Sequence, residues 1–215
     1  MSALDARVLR GALGNCIIGR EIVVLEETTS TNDSVLQRST SLTPEGLVVF
    51  AEHQTAGRGQ RANVWESALE KGLWLSILLR PKIDIAESAR LSTWAATVVA
   101  DVIQQELGLA AVVKPPNDVY IGDKKVAGVL VEMRAQKKRP HLAIVGIGIN
   151  VNHAPIDFSD ELRPRAVSLS MVLDRQLDRA NLAIALLRNL DRTYAKLFGD
   201  TTAKTSRSGG LQTAV

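Results

Sequence analysis

Apolar positions in this chain fall into short β-branched runs separated by two long stretches at helical spacing. Leu4, Val8, Leu9 and Leu13 predict a helix over Ala3 to Leu13, stopped by Gly14 and Asn15. Ile22 to Leu25 and Leu47 to Ala51 read as strands, and Gly72 to Leu79 as a buried strand ended by Arg80-Pro81. Ile85 to Leu107 carries Ala89, Leu91, Trp94, Val98, Val102 and Ile103 on one broad helical face, with Gly108 closing it. Trp94 reads as core packing. Ala110 to Lys114 predicts a short strand broken by Pro115-Pro116-Asn117-Asp118. Val119 to Ile121 and Lys124 to Met133 form a hairpin about Gly122-Asp123. A second turn, with Lys137-Lys138-Arg139 as its solvated tip, leads into the strand His141 to Asn150. His153 to Arg165 is a loop, Ala166 to Leu173 a short helix, and Asp178 to Leu197 an amphipathic helix with Leu182, Leu186, Leu190, Tyr194 and Leu197 inward. Periodicity ends at Gly199, so residues 199–215 are expected to be a disordered tail. The fold class is α/β of the α+β type: a mixed, largely antiparallel sheet with helices on one face and the site on strand ends and loops.

Composition narrows the class little. The 215 residues are 46% hydrophobic and 23% charged, with a net charge of +3 spread along the chain, which gives weak support for nucleic-acid binding. The single cysteine, Cys16, excludes an intrachain disulfide and a multi-cysteine zinc site, and it is expected to be a buried structural thiol. Neither a membrane span nor a secretory leader is visible, so the expected location is cytoplasmic and no membrane partner is expected.

The chemistry concentrates after the second strand, in Glu52-His53-Gln54-Thr55-Ala56-Gly57-Arg58-Gly59-Gln60-Arg61-Ala62-Asn63-Val64-Trp65. Glycines beside Arg58 let the backbone approach a ligand closely. Arg58 and Arg61 bring forked donors suited to carboxylate or phosphate, and Trp65 a flat apolar surface. Such a loop suits an anionic ligand with a planar part. Ser30-Thr31-Asn32, at a strand-to-helix turn, reads either as a helix cap or as a set of hydroxyls and an amide for a polar ligand head. Gly146 and Gly148 inside the last strand mark close approach of another group.

Ser30-Thr31-Asn32, Gln54-x-x-Gly57-Arg58-Gly59-x-Arg61, Lys114-x-Pro116-Asn117-Asp118 with Lys125-x-x-Gly128, and Gly146-x-Gly148-x-Asn150 stand in an order that resembles the catalytic domain of biotin protein ligases, from about Glu21 to Leu197. The resemblance implies a domain over residues 1–198 that activates biotin with ATP and Mg2+ as biotinyl-AMP. It would then transfer the biotinyl group to a lysine of a biotin carboxyl carrier protein, such as that of acetyl-CoA carboxylase. It places Ser30, Thr31, Asn32, Gln54, Gly57, Arg58, Gly59, Gln60, Lys125 and Gly128 around biotin. It places Arg61, Trp65, Asn117, Asp118, Lys125 and Asn150 around ATP, with its magnesium near Asp118, and makes Lys125 and Arg58 the catalytic cations. The chain departs from the family pattern at Gln60 and Asn63, where basic residues are usual, and at Pro115, where tryptophan is usual. Neither an N-terminal DNA-binding extension nor the small C-terminal β-domain of many members is recognisable, so no DNA partner is expected; a homodimer is left open. A lipoate or octanoate transferase and a non-catalytic binder of biotin or nucleotide are the alternatives.

Overall fold

The β-branched runs pair into one seven-stranded sheet in the computed structural model, which describes residues 3–40, 42–136 and 140–198. The strands are β1 (Glu21–Thr28), β2 (Leu47–Gln54), β3 (Gly72–Leu79), β4 (Ala111–Lys114), β5 (Asp118–Ile121), β6 (Lys124–Arg134) and β7 (Leu142–Asn150). They lie in the order β1-β2-β3-β7-β6-β5-β4, with β1 and β2 parallel and every other neighbour antiparallel. The helices are α1 (Ala6–Gly11), α2 (Thr31–Arg38), α3 (Ser88–Leu107), α4 (Leu169–Leu173) and α5 (Arg179–Phe198). Helix α2 is the crossover that makes β1 and β2 parallel, since a parallel pair needs a connection longer than a tight turn. The expected tail over 199–215 and the Lys137-Lys138-Arg139 turn lie outside the described residues.

Side chains alternate between the faces of the sheet, and the two faces differ in kind. Val48 and Phe50 of β2, Leu73, Leu75, Ile77 and Leu79 of β3, and Ala143, Val145, Ile147 and Ile149 of β7 join the main core, to which α3 and α5 contribute Leu91, Val99, Ile103, Leu186 and Leu190. Burying a side chain of this size contributes about 1.5–3 kcal/mol, so the stability of the domain resides on this face. The opposite face has a small cluster of Val49, Leu78, Leu142 and Ile144 beneath Val35 of α2. Beyond it this face turns polar and glycine-rich, and there it meets the loops. The two long helices thus take one face, as expected, while α2 covers part of the other.

Several expected boundaries move for local reasons. Helix α1 is shorter than Ala3 to Leu13 because Asp5 caps it, its carboxylate accepting from the amides of Arg7 and Val8; Leu4 and Leu9 are buried and Val8 is exposed. The stretch before α3 starts as a 3-10 turn over Ile85–Glu87, capped by Asp84, and Gly108 ends α3 in the left-handed conformation at φ 68°. In α5 the stripe steps by four from Tyr194 to Phe198, which leaves Leu197 59% exposed and buries Phe198 in its place. Helix α4 forms only over Leu169–Leu173, because Ala166 is drawn into a parallel bridge with Lys125. Cys16 is half-buried rather than buried, and desolvation raises its thiol above the ordinary value.

Candidate active site

Three glycines clear the floor of the site on the polar face of the sheet. Trp74 of β3, Gly148 of β7, Gly128 of β6 and Asp118 of β5 stand in one cross-strand row, and Ser76, Gly146 and Leu130 in another. A Cβ on Gly148 would lie 2.5 Å from the Trp65 ring, and one on Gly146 would lie 2.4 Å from Asn32 Oδ1. One on Gly128 would press on both Trp65 and the Lys125 side chain, at 3.0 and 3.2 Å. The strand glycines therefore do what their positions suggested: they let Trp65, Lys125 and Asn32 lie against the sheet.

A first cleft of about 460 Å³ opens at the N-terminus of α2. Ser30 is the N-cap of α2 but makes no side-chain capping bond; it is buried and lines the cleft. Thr31 donates from its amide and its hydroxyl to Gln54 Oε1 at 2.8 and 3.2 Å. This engages the carbonyl end of Gln54, so its amide nitrogen is the end it can present to a ligand. Ser76 Oγ lies 2.7 Å from Thr31 Oγ1 and 2.6 Å from Asn32 Oδ1, and Asn32 Nδ2 donates to Glu132 at 2.6 Å. The first turn of α2 is thus held from beneath by a buried polar network, not merely capped.

The glycine loop folds over this cleft. Trp65 N donates to Gly57 O at 2.9 Å, Gly59 N to Asn63 O at 2.7 Å, and Arg58 bridges to Val64. Gly57 forms the neck, where a Cβ would meet the Trp65 carbonyl oxygen at 2.3 Å. Arg58, Gly59 and Gln60 line the cleft. The Arg58 guanidinium forks onto Asp33 at 2.6 and 2.8 Å and reaches Glu132 at 3.3 Å. Hydrogen bonding to Asp33 raises the Arg58 pKa further above its already high value, and the same bond holds the Asp33 carboxyl below the ordinary carboxylate value. Arg61 takes a left-handed backbone at φ 56° and points to solvent, lining neither cleft, so the structure does not bring it to the nucleotide side.

A second cleft, of about 1320 Å³, adjoins the first, and Trp65 and Lys125 line both. Lys125 Nζ stands 2.7 Å from Asp118 Oδ1 and 5.4 Å from the centre of the Trp65 ring. Its backbone is pinned on both sides, its amide donating to Arg165 O at 2.8 Å and its carbonyl accepting from Val167 N at 3.0 Å. Asn150 lines the second cleft and donates to Val167 O at 3.2 Å. Asn117 lines the first cleft and donates to Val129 O at 3.0 Å, so both carboxamides brace the backbone around Lys125. Phe158, Leu162 and Ala166 supply an apolar wall to the second cleft, and Glu66, Tyr120 and Arg165 polar edges. Behind that wall His153 is buried, stacked on Phe158 at 4.9 Å and edge-on to Trp74 at 5.6 Å. Burial pushes its pKa down to about 4. No group of three or more carboxylates, histidines or cysteines able to hold a metal occurs among the described residues.

The arrangement can hold an acid in one cleft and a flat-based anion in the other, with one ammonium at their junction. Several residues of this site escaped the sequence reading, Glu66, Tyr120, Phe158 and Leu162 of the second cleft among them. Ser76 was visible as the one hydroxyl in an otherwise apolar strand, and Glu132 as a charge in step with Gly128 and Leu130 on the site face. Asp33 directly follows Ser30-Thr31-Asn32. Arg165, inside an irregular loop, had no signal.

Residues 24–150 match the biotin/lipoate A/B protein ligase family. Over 191 residues the chain is 37% identical to the bifunctional ligase/repressor BirA of Bacillus subtilis, covering 89% of this chain and 59% of that protein. It is 35% identical over 195 residues to the biotin–[acetyl-CoA-carboxylase] ligase of Mycobacterium tuberculosis, covering 87% of this chain and 70% of that one. The solved biotin protein ligase from Aquifex aeolicus, in complex with biotin and ATP, shares the fold with a TM-score of 0.70 at 30% identity, over 82% of this chain and 71% of that chain. The chain spans about three fifths of the Bacillus protein's length. With the family matched from β1 to the end of β7 and the same fold in a solved member, the chain belongs to the biotin/lipoate A/B protein ligase family.

Proposed function

We propose that this chain activates biotin with ATP as biotinyl-AMP and transfers the biotinyl group to a lysine of a biotin carboxyl carrier domain in the cytoplasm. The observation that carries the reading is the meeting of two clefts at one ammonium, Lys125. Relatives named as biotin ligases, and a structural neighbour holding biotin and ATP, support biotin as the acid.

In this reading Ser30, Thr31 and Gln54 receive the polar ring of biotin, and its carboxylate extends toward Lys125. The nucleotide lies in the second cleft, its base against Phe158 and Leu162. A carboxylate oxygen bonds to the α-phosphorus while the bond to the β-phosphate oxygen breaks, and pyrophosphate leaves with the electron pair. Two unit negative charges about 4 Å apart repel by roughly 4 kcal/mol at an effective dielectric near 20, so an ammonium between them offsets a cost of that order. Asp118 holds that ammonium at the junction. The neutral acceptor amine then attacks the acyl carbon, the bond from that carbon to the AMP oxygen breaks with AMP taking the electron pair, and the nitrogen gives up a proton as the amide forms. No covalent bond to the enzyme is needed, and positioning with electrostatic stabilisation carries the catalysis.

Magnesium would arrive on the nucleotide. That ion is commonly held by one or two carboxylates together with phosphates and water, and Asp118 and Glu66 at the second cleft fit such a set.

The test is incubation with ATP, magnesium and either biotin or lipoate, following pyrophosphate and the acyl-adenylate, then mass analysis of an added carrier domain. Turnover with biotin and a single biotinyl mass gain on the carrier are expected. Turnover with lipoate instead would move the chain to the other branch of its family, and pyrophosphate release no faster than without acid would overturn the reading.

A further inference from the structure

The carboxylates around Arg58 point to a role for it other than gripping the substrate. Its guanidinium is engaged on three oxygens, two of Asp33 and one of Glu132, and Glu132 also accepts from Asn32. One cation thus faces two anions, so Arg58 has little net positive field to offer an incoming carboxylate. The contacts instead join three separate pieces of the chain. Asp33 and Asn32 lie in the first turn of α2, Glu132 near the C-terminal end of β6, and Arg58 in the glycine loop between Gly57 and Trp65.

We propose that Asp33 is a positioning residue: it clasps the glycine loop to α2 through Arg58, presetting the lid over the acid cleft, while Lys125 alone meets the substrate carboxylate. Glu132 completes the clasp and ties it to Asn32, so lid and cleft floor are set together. The inference rests on the proposed ligase reading only for what the lid retains; the clasp itself is a property of the ligand-free chain.

Four proteins test it: the wild type, Asp33→Asn, Arg58→Gln and the double variant. Two readouts are taken, hydrogen exchange at the Gly59, Asn63 and Trp65 amides without ligand, and the release rate of biotin. Each single variant is expected to speed both by roughly three- to tenfold, the span covered by loss of a partly exposed bidentate pair. The double variant should be no worse than the worse single one, because both remove the same contact. The rate of adenylate formation at saturating biotin should stay within about twofold for Asp33→Asn, since its carboxylate lines neither cleft and meets no reacting atom. Unchanged exchange in Asp33→Asn would overturn the clasp. A loss of adenylate formation in Arg58→Gln at least tenfold beyond that of Asp33→Asn would return Arg58 to the substrate. If the wild type binds no biotin, the ligase reading fails, and exchange at the three amides still decides the clasp.

Discussion

Gly148 lies directly beneath the indole of Trp65, so close that a Cβ would stand 2.5 Å from the ring. Trp65 is also a wall of both clefts, so the absence of a side chain at residue 148 decides where the boundary between them runs. Gly148→Ala should push the ring off the sheet. Overpacking of this kind costs about 1–3 kcal/mol, hence roughly a five- to hundredfold loss of affinity for the ligands the ring borders. Gly11→Ala, in α1 with nothing within 4 Å of the new Cβ, is the control and should be neutral or slightly stabilising. Tryptophan fluorescence with titrations of biotin and ATP measures both, and an unchanged Gly148→Ala would reject the glycine floor.

Lys125→Ala should leave the fold intact and lower adenylate formation by roughly a hundredfold or more, the loss found when one charge-stabilising donor is removed from a site. The side chain stands near the start of β6 and lies against Trp65 and Asp118 at the cleft, outside the apolar core, so circular dichroism should not change. Asp118→Asn frees the ammonium without removing it, and its loss should be smaller. Near-normal pyrophosphate release from Lys125→Ala would remove the residue from the mechanism.

A second ion pair is structural. Glu52 and Arg179 are both buried, Arg179 donating to Glu52 and to Gly72 O, while Glu52 also accepts from Leu4 N. The pair joins β2, β3, α5 and the N-terminal segment at one point. Glu52→Leu or Arg179→Leu takes from a buried charge its partner in this pair and should cost about 3–5 kcal/mol, whereas replacing both with leucine should cost less than either alone. Urea unfolding of the three variants orders them, and additive losses would show that the two side chains act separately.

How much of this could be read from the chain itself depended on whether a feature was local. Every strand was visible, because each is written into a local run of β-branched or apolar residues such as Gly72 to Leu79, which the fold buries along its whole length. The cleft residues Ser30, Thr31, Gln54, Trp65 and Lys125 were visible through spacing that resembles a known family. What escaped was set by partners distant in sequence. Arg58 is a free cation in the chain and a paired one in the fold, because Asp33 lies 25 residues away and Glu132 lies 74 away. Arg61 looks equivalent to Arg58 until a left-handed turn sends it to solvent. Glu52 and Arg179 are 127 residues apart, and nothing local announces that both will be buried.

His153 gives the domain a pH dependence whose sign is fixed. Its pKa falls from 6.5 to about 4, chiefly because burial disfavours the charged ring; Asp157 opposes the shift and Lys71 adds to it. Between those two values the unfolded chain binds the proton and the folded chain does not, so stability is full above about pH 6.5 and declines as the pH falls toward 4. The loss reaches about 3 kcal/mol if the whole shift is realised, at about 1.4 kcal/mol per pH unit. Lys71 and Asp157 are paired with each other at 3.7 Å, so neither charge acts on the ring alone. The ring Nδ1 has no hydrogen-bond partner, and a neutral aromatic of similar area should fill the space between Trp74 and Phe158 without that orphaned atom. His153→Phe should therefore flatten the stability profile between pH 6.5 and 4 and hold or raise the stability at pH 5. Thermal unfolding of both proteins at half-unit steps of pH measures the two slopes. Parallel profiles would mean that another group sets the acid limit of this fold.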